Sequence, residues 1–268
     1  MPAPLEDIGW LTRSANRVQL LELLADQPYT RPELTEEIGV TRVTVNRMIE
    51  AFEERGWIEV PVRDPEITPC GRLMLDHLEP FREAATTARK LRDIQGYLPV
   101  EAFDFDLRRL ADADVSYPSQ HDILGPLEES RDIAVGSERL RIVGSVPDSI
   151  HLRSAFDRYE EGNGPRSVER VFTAGGFESV RSDPDMSRWL RKISEFDHIE
   201  CGYFRYEDDL SYGLTIADGT AVLQLLDDQG FVPAIVTSDD EAVLAWAERT
   251  FERYKREAEP LDVDAFTA

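Results

Sequence analysis

At 268 residues, 41% of them apolar, the chain is long enough for two domains with separate cores and too apolar for general disorder. It has no run of about 18 apolar residues and no basic leader ahead of an apolar stretch, so neither a membrane helix nor a secretory route is expected, and the cytoplasm is the expected location. The net charge of −23 opposes DNA binding at ordinary salt but is unevenly spread: residues 1–95 carry 12 basic and 17 acidic side chains, net −5, and residues 96–268 carry 18 and 36, net −18.

Two opening helices are expected at residues 5–13 and 14–24, with Ile8, Leu11, Val18, Leu21 and Leu24 on the apolar side. Residues 30–63, TRPELTEEIGVTRVTVNRMIEAFEERGWIEVPVR, then read as helix, turn, helix and strand. Thr30 and Pro32 open the first of these helices, Leu34 and Ile38 share one side of it, and Gly39 supplies the turn. Thr41 caps the second, whose apolar positions Val43, Val45, Met48, Ile49 and Phe52 recur at helical spacing. Burying them turns Arg42, Thr44, Asn46 and Arg47 outward, a set suited to phosphates and base edges in a major groove. Gly56 ends the helix, and strands at 58–63 and 66–68 are expected to form a wing around Asp64 and Pro65, with Arg63 and Arg72 as phosphate contacts. This order is the outline of a winged helix-turn-helix, with double-stranded DNA as its partner.

Residues 71–94 read as one long helix with a stripe of Met74, Leu78, Phe81, Ala85, Ala88 and Leu91 at spacings of three and four. A helix of about 24 residues extends about 36 Å, more than one small domain needs, so the stripe is read as a homodimer seam. The run Gln95, Gly96, Tyr97, Leu98, Pro99 is the expected boundary between a DNA-binding domain at 1–95 and a second domain at 100–268.

Beyond it the rhythm changes to alternating strands and helices. A short helix is expected at 100–111, a strand around Val115, a helix at 121–130, a strand at Arg139–Val143 and a helix at 148–161. A strand at 168–173 runs into Gly175 and Gly176, and the next helix follows Pro184. Strands are expected at 199–205, 212–216, 221–226 and 231–236, the last three as a meander with turns at 217–220 and 227–230, before a helix at Glu241–Glu257. The expected fold is α/β overall: a winged helix-turn-helix, a long connecting helix, and an α/β domain with a mixed sheet.

In such sheets ligands sit beyond the carboxyl ends of strands, where backbone donors meet helix starts. That selects Gly144, Ser145 and Val146 after one strand and Thr173, Ala174 and Gly175 after the next, with Arg170, Arg205, Tyr203 and Phe172 supplying charge and rings for a small-molecule effector. No P-loop, dinucleotide fingerprint, nucleophile elbow or metal-spaced cluster is present, so no catalytic residue, metal or cofactor is expected. Cys70 and Cys201 are too few for a disulfide framework; both are read as reduced and partly buried, with a thiol switch at Cys70 as a side possibility.

The acids are dispersed and only three of the 30 basic residues are lysines, Lys90, Lys192 and Lys255, which is the surface style of a salt-accumulating halophile. In molar salt, DNA binding by such a chain is expected to weaken little, or even strengthen, as salt is added.

The segments GVTRVTVNRMIEAFEERGWIE, IVGSVPD, SVERVFTAGGFESV and FVPAIVTSDDEAVLAWAERTFERY together resemble archaeal winged-helix regulators whose C-terminal half is a filament-regulator middle domain, found in methanogens and common in haloarchaea. The resemblance covers nearly the whole chain and implies transcription control, with the C-terminal domain as sensor or oligomerisation module. RVFTAGG is also similar to sugar-sensing archaeal regulators whose C-terminal domains resemble the phospholipase D fold. None of His77, His121, His151 or His198 begins the H-x-K motif of that enzyme fold, which argues against hydrolysis. The expected function is a dimeric, sequence-specific DNA-binding transcriptional regulator. The alternatives are a winged helix that binds protein, which carboxylates such as Glu50 and Glu54 on the recognition face would favour, and an enzyme acting on a nucleotide or sugar phosphate.

Overall fold

A short amphipathic pair opens the chain, α1 (Pro4–Thr12) and α2 (Ala15–Asp26), followed by α3 (Arg31–Ile38) and α4 (Arg42–Glu53). Thr30 and Glu33 form a reciprocal capping box: the Thr30 N–H donates to the Glu33 carboxylate at 2.7 Å, and the Thr30 hydroxyl oxygen accepts from the Glu33 N–H at 3.5 Å. Gly39 ends α3 with φ 71°, a left-handed turn that a side chain would strain, and lets the chain turn into α4. The helices close on Leu11, Leu20, Leu21, Leu34, Val45, Ile49 and Phe52. Trp10 stands edge-on to Phe52 at 4.9 Å and lies between the guanidinium groups of Arg17 and Arg55, at 4.3 and 4.0 Å from its ring. Leu20 belongs to this core, whereas Ile8 is exposed: in the nine-residue α1 only Leu11 is buried.

The wing is smaller than the pattern suggests. Only β1 (Ile58–Glu59) and β2 (Glu66–Ile67) pair, antiparallel, because Pro61 and Pro65 remove two backbone donors from the ladder. Gly71, in the first turn of the next helix, lies so close to the wing that a Cβ there would be 2.1 Å from the Trp57 carbonyl oxygen. That helix, α5, runs Pro69–Leu91 rather than 71–94. Its stripe is not one seam. Met74 and Leu78 rest on the N-terminal core and Leu91 is buried in the C-terminal one, while Phe81, Ala85 and Ala88 stay exposed. The computed structural model describes residues 4–119, 121–122, 124–144 and 149–266, and it divides within α5 into compact units Met1–Ala85 and Thr86–Ala268. Among the described residues no helix is long and apolar enough to cross a membrane.

The second unit is one mixed sheet covered on both faces. Val100–Ala102 and Leu107–Leu110 are separate 3₁₀ turns rather than one helix: Phe103 and Phe105 stack at 4.7 Å and both meet Trp246 edge-on, which holds the segment between the turns extended. There follow β3 (Asp114–Ser116), α6 (Gly125–Val135), β4 (Arg139–Val143), α7 (Ser149–Glu160) and β5 (Ser167–Phe172). The helix expected at 121–130 is displaced to α6, since Gly125 and Pro126 favour the first turn rather than the interior. Gly175 and Gly176 do not form a loop: Thr173 caps α8 (Ala174–Ser182), whose Phe177 and Val180 are buried one turn apart, and that burial outweighs the weak helix propensity of glycine.

α9 (Pro184–Ser194), β6 (Glu200–Arg205), β7 (Tyr212–Ala217), β8 (Thr220–Leu225), β9 (Ala234–Ser238), α10 (Glu241–Glu257) and β10 (Glu259–Leu261) complete the unit. β9 starts later than expected because the Asp227 carboxylate accepts from the N–H groups of Gln229 and Phe231, both at 2.9 Å, and holds that stretch as a loop. The sheet order is β10-β6-β5-β4-β7-β8-β9-β3, parallel from β4 to β6 and antiparallel elsewhere, with β7, β8 and β9 as the meander. Strand alternation sorts the two faces: Val143, Val171, Leu214 and Leu223 meet α10, whereas Leu140, Ile142, Val168, Phe172 and Tyr203 meet the layer of α7, α8 and α9.

Candidate nucleic-acid interface and ligand cavity

The exposed side of α4 carries the cations. Thr41 caps the helix by accepting from the Thr44 N–H at 3.3 Å, so its first turn is fixed in place. Arg42, Thr44 and Arg47 are exposed, and Arg63 is exposed in the wing loop. Asn46 is half-buried, and its side-chain oxygen accepts from Arg31 at 2.8 Å, which ties the start of α3 to the recognition helix. Val43 does not join the core: it is 61% exposed on the first turn of α4. The apolar arc of α4 is narrow, and Val45, Met48, Ile49 and Phe52 fill it without Val43. An exposed methyl-bearing side chain there is suited to a thymine methyl. Carboxylates begin only at the exposed Glu50, so the two N-terminal turns that a helix-turn-helix presents to base edges are cationic. Cys70 is exposed rather than partly buried, being on the outer side of the first turn of α5, and Cys201 is half-buried.

In the second unit a cavity of about 840 Å³ opens at the carboxyl ends of β4 and β5, between one face of the sheet and helices α6, α7 and α9. It brings together four of the residues singled out from the sequence, Gly144, Arg170, Thr173 and Tyr203. Phe172 is buried beside them in the apolar core, and Arg205 pairs with Glu207 at 3.1 Å away from the lining. Gly175 is outside the lining as well, and its N–H donates to the Asp209 carboxylate at 3.2 Å, so the amino end of α8 already holds an acid of the protein. Ser145 and Val146 lie outside the described residues.

Arg170 is the only buried charged side chain among the described residues, 9% exposed. Burial pushes its guanidinium down to about 10, with Tyr203 and Tyr159 opposing the shift. Burial likewise pushes the Tyr159 hydroxyl up to about 12 and that of Tyr203 higher still. The Tyr203 hydroxyl accepts from Ser194 at 3.1 Å. Sequence reasoning missed Arg131 of α6, His151 and Arg158 of α7, and Thr215 and Gln224 of β7 and β8. The spacing of His151, Ser154, Ala155 and Arg158 does mark one helix face, but which surface that face meets depends on strand order.

A winged helix-turn-helix with a cationic recognition face, followed by an α/β domain with a cavity of ligand size, is the layout of a DNA-binding regulator. The family model for the HVO_A0261 N-terminal domain matches residues 5–90, and that for the methanogenesis regulatory protein FilR1, middle domain, matches residues 123–257. The second spans half of the chain, and the chain belongs to that family of archaeal regulators. No curated protein matches the sequence. Among solved structures, TrmBL2, an archaeal chromatin protein, is 14% identical with a TM-score of 0.39, covering 92% of this chain and 94% of its own. NucT from Helicobacter pylori is 11% identical with a TM-score of 0.41, and the phospholipase D family member Nuc from Salmonella typhimurium is 10% identical with a TM-score of 0.39. Each covers 56% of this chain, and 99% and 97% of its own, respectively. These TM-scores are too low for the likenesses to bear on fold or function.

Proposed function

We propose that this protein is a sequence-specific transcriptional regulator that works as a homodimer, with a C-terminal domain that senses a small molecule. The observation that carries the DNA part is the first two turns of α4, where Arg42, Thr44 and Arg47 stand exposed on a capped helix whose opposite side is buried. Arg63 in the wing loop supplies a backbone contact, and Arg31 holds Asn46 in the interface. Leu73, Phe81 and Ala88 share one exposed side of α5, and this apolar side supports pairing with a second copy. A ligand in the C-terminal cavity would then shift the spacing or tilt of two recognition helices and so the affinity for paired half-sites.

Enrichment of a random duplex library in molar KCl tests the reading. One or a few related sequences are expected to emerge. Arg47→Ala is expected to weaken binding to the enriched duplex about tenfold, and Arg256→Ala, exposed on α10, to leave it unchanged. Absence of enrichment, or equal effects of the two variants, would overturn the interface and favour a protein partner for the winged helix.

A further inference from the structure

Some of the buried polar groups of the C-terminal unit gather in one place. Nine polar or charged residues are buried among the described residues of the whole chain, and four of them, Ser130, Arg170, Thr173 and Thr215, line the one cavity described above. Thr173 is answered within the fold, accepting from the Gly176 N–H at 3.1 Å, and Arg170 has contacts of its own; what marks the place is that a buried guanidinium and several hydroxyls line one space of ligand size.

Strand register shows how they converge. Tyr203 of β6 pairs with Arg170 of β5, Arg170 with Ile142 of β4, Ile142 with Thr215 of β7, and Thr215 with Val222 of β8, so the five side chains form one row across the sheet. On the same face, two residues further along β8, Gln224 stands opposite Gly213. Gly213 has no side chain there, and Gly144, with φ 72°, would place a Cβ 2.9 Å from the Tyr212 carbonyl oxygen. The floor is thereby lowered between a guanidinium on one side and a hydroxyl and an amide on the other. Opposite the floor, Leu127 and Ala134 of α6, Leu152 and Ala155 of α7, and Leu190 and Ile193 of α9 form an apolar wall. Five carboxylates stand at the rim: Asp209 accepts from the Gly175 N–H and Asp227 from Gln229 and Phe231, while Glu128, Asp132 and Asp228 are exposed there, away from the buried Arg170.

We propose that the cavity binds a small organic anion, whose carboxylate or phosphate group meets Arg170 on the floor, whose polar substituents meet Thr215 and Gln224, and whose carbon body lies on the apolar wall. Arginine is suited to this because its planar fork donates two parallel bonds to an oxyanion and cannot shed its charge on burial. A volume of about 840 Å³ is in the range of small-molecule sites and far above what a single inorganic ion fills. The inference deepens the sensing part of the proposed function and is tested on the protein without DNA.

The probe is a matched pair of dyes, 8-anilinonaphthalene-1-sulfonate and its uncharged counterpart N-phenyl-1-naphthylamine, titrated by fluorescence against the full chain in molar KCl, where diffuse surface attraction is screened. Both are expected to bind one saturable site. Arg170→Gln is expected to weaken the anion about tenfold or more and to leave the neutral dye unchanged. Ala155→Trp, which fills the cavity from α7, is expected to remove both. Where Arg170→Gln does not fold, Arg170→Lys keeps a charge but loses the fork, and a severalfold loss confined to the anion is expected. No saturable binding of the anion, equal binding of the anion by wild type and the Arg170 variant, or equal loss of both dyes in that variant would overturn the proposal. Failure of the DNA reading leaves the dye result standing, whereas anion binding with no effect on duplex affinity keeps the site and removes the sensing role.

Discussion

Arg47 and Arg170 belong to the same scarce class of residue on a chain of net charge −23, and the two units place them in opposite surroundings. Arg47 stands in solvent on α4, where salt screens it and a partner must supply the geometry. Arg170 is set in the middle of a strand, where neighbouring strands supply the geometry and low polarity strengthens any charge it meets. The difference teaches where selectivity can come from in an acidic protein. An open face has to rely on shape and several weak contacts, while an enclosed cation can discriminate with one. The charge is divided too: the first 95 residues carry a net −5 and the remainder −18, so the face proposed to meet DNA lies on the less acidic part.

The largest expected effect would separate the units. Phe52→Ala, which removes a fully buried ring from the Trp10 and Trp57 cluster, is expected to cost the N-terminal unit about 3–5 kcal/mol. Calorimetry is expected to show that transition fall sharply while the one belonging to the α/β unit stays. A single transition that moves as a whole would show that the units fold together. Next in size is the salt response: between low and molar KCl, affinity for the enriched duplex is expected to fall by much less than the 10³-fold or more that about six to ten phosphate contacts would ordinarily lose. A steep ordinary slope would erase the difference in charge strategy drawn above.

Smaller effects probe the helix starts that aim the open face. Thr41→Ala is expected to cost about 1 kcal/mol in urea unfolding and to weaken duplex binding without changing dye binding in the C-terminal cavity. The smallest concerns Glu33, whose carboxyl is held below the ordinary carboxylate range by the Thr30 N–H and then by the Thr30 hydroxyl. Because its folded value is depressed, its contribution is present above the unfolded value and is lost as pH falls through the folded one. Glu33→Gln is therefore expected to lower the N-terminal melting temperature at neutral pH, with the gap to wild type closing in acid; a gap independent of pH would remove the carboxylate from the account.

Much of this architecture was legible because local rules agreed with one another. Thr30, Gly39 and Thr41 punctuate α3 and α4 by capping and backbone conformation, and the largely apolar β7 and β8 with their Asp218 and Gly219 turn, where Asp218 has φ 49°, mark a hairpin. Where the reading departs from the structure, a nonlocal contact outweighed local propensity. Phe103 and Phe105 stay extended against Trp246, which is far away in sequence, and Phe177 and Val180 draw a glycine-rich stretch into α8. The α5 stripe was visible as a periodicity, but periodicity does not say that its two ends enter different cores.

By itself, then, the sequence determined the helix-turn-helix, the mixed α/β succession and the concentration of negative charge in the second unit, because capping, periodicity and composition act over a few residues or none. Only the tertiary structure decided that Val43 remains outside the core, that Gly175 meets Asp209, and that Arg170, Thr215 and Gln224 share one cavity. The last of these follows from β4 lying between β5 and β7, an order set by long-range pairing that no local pattern encodes.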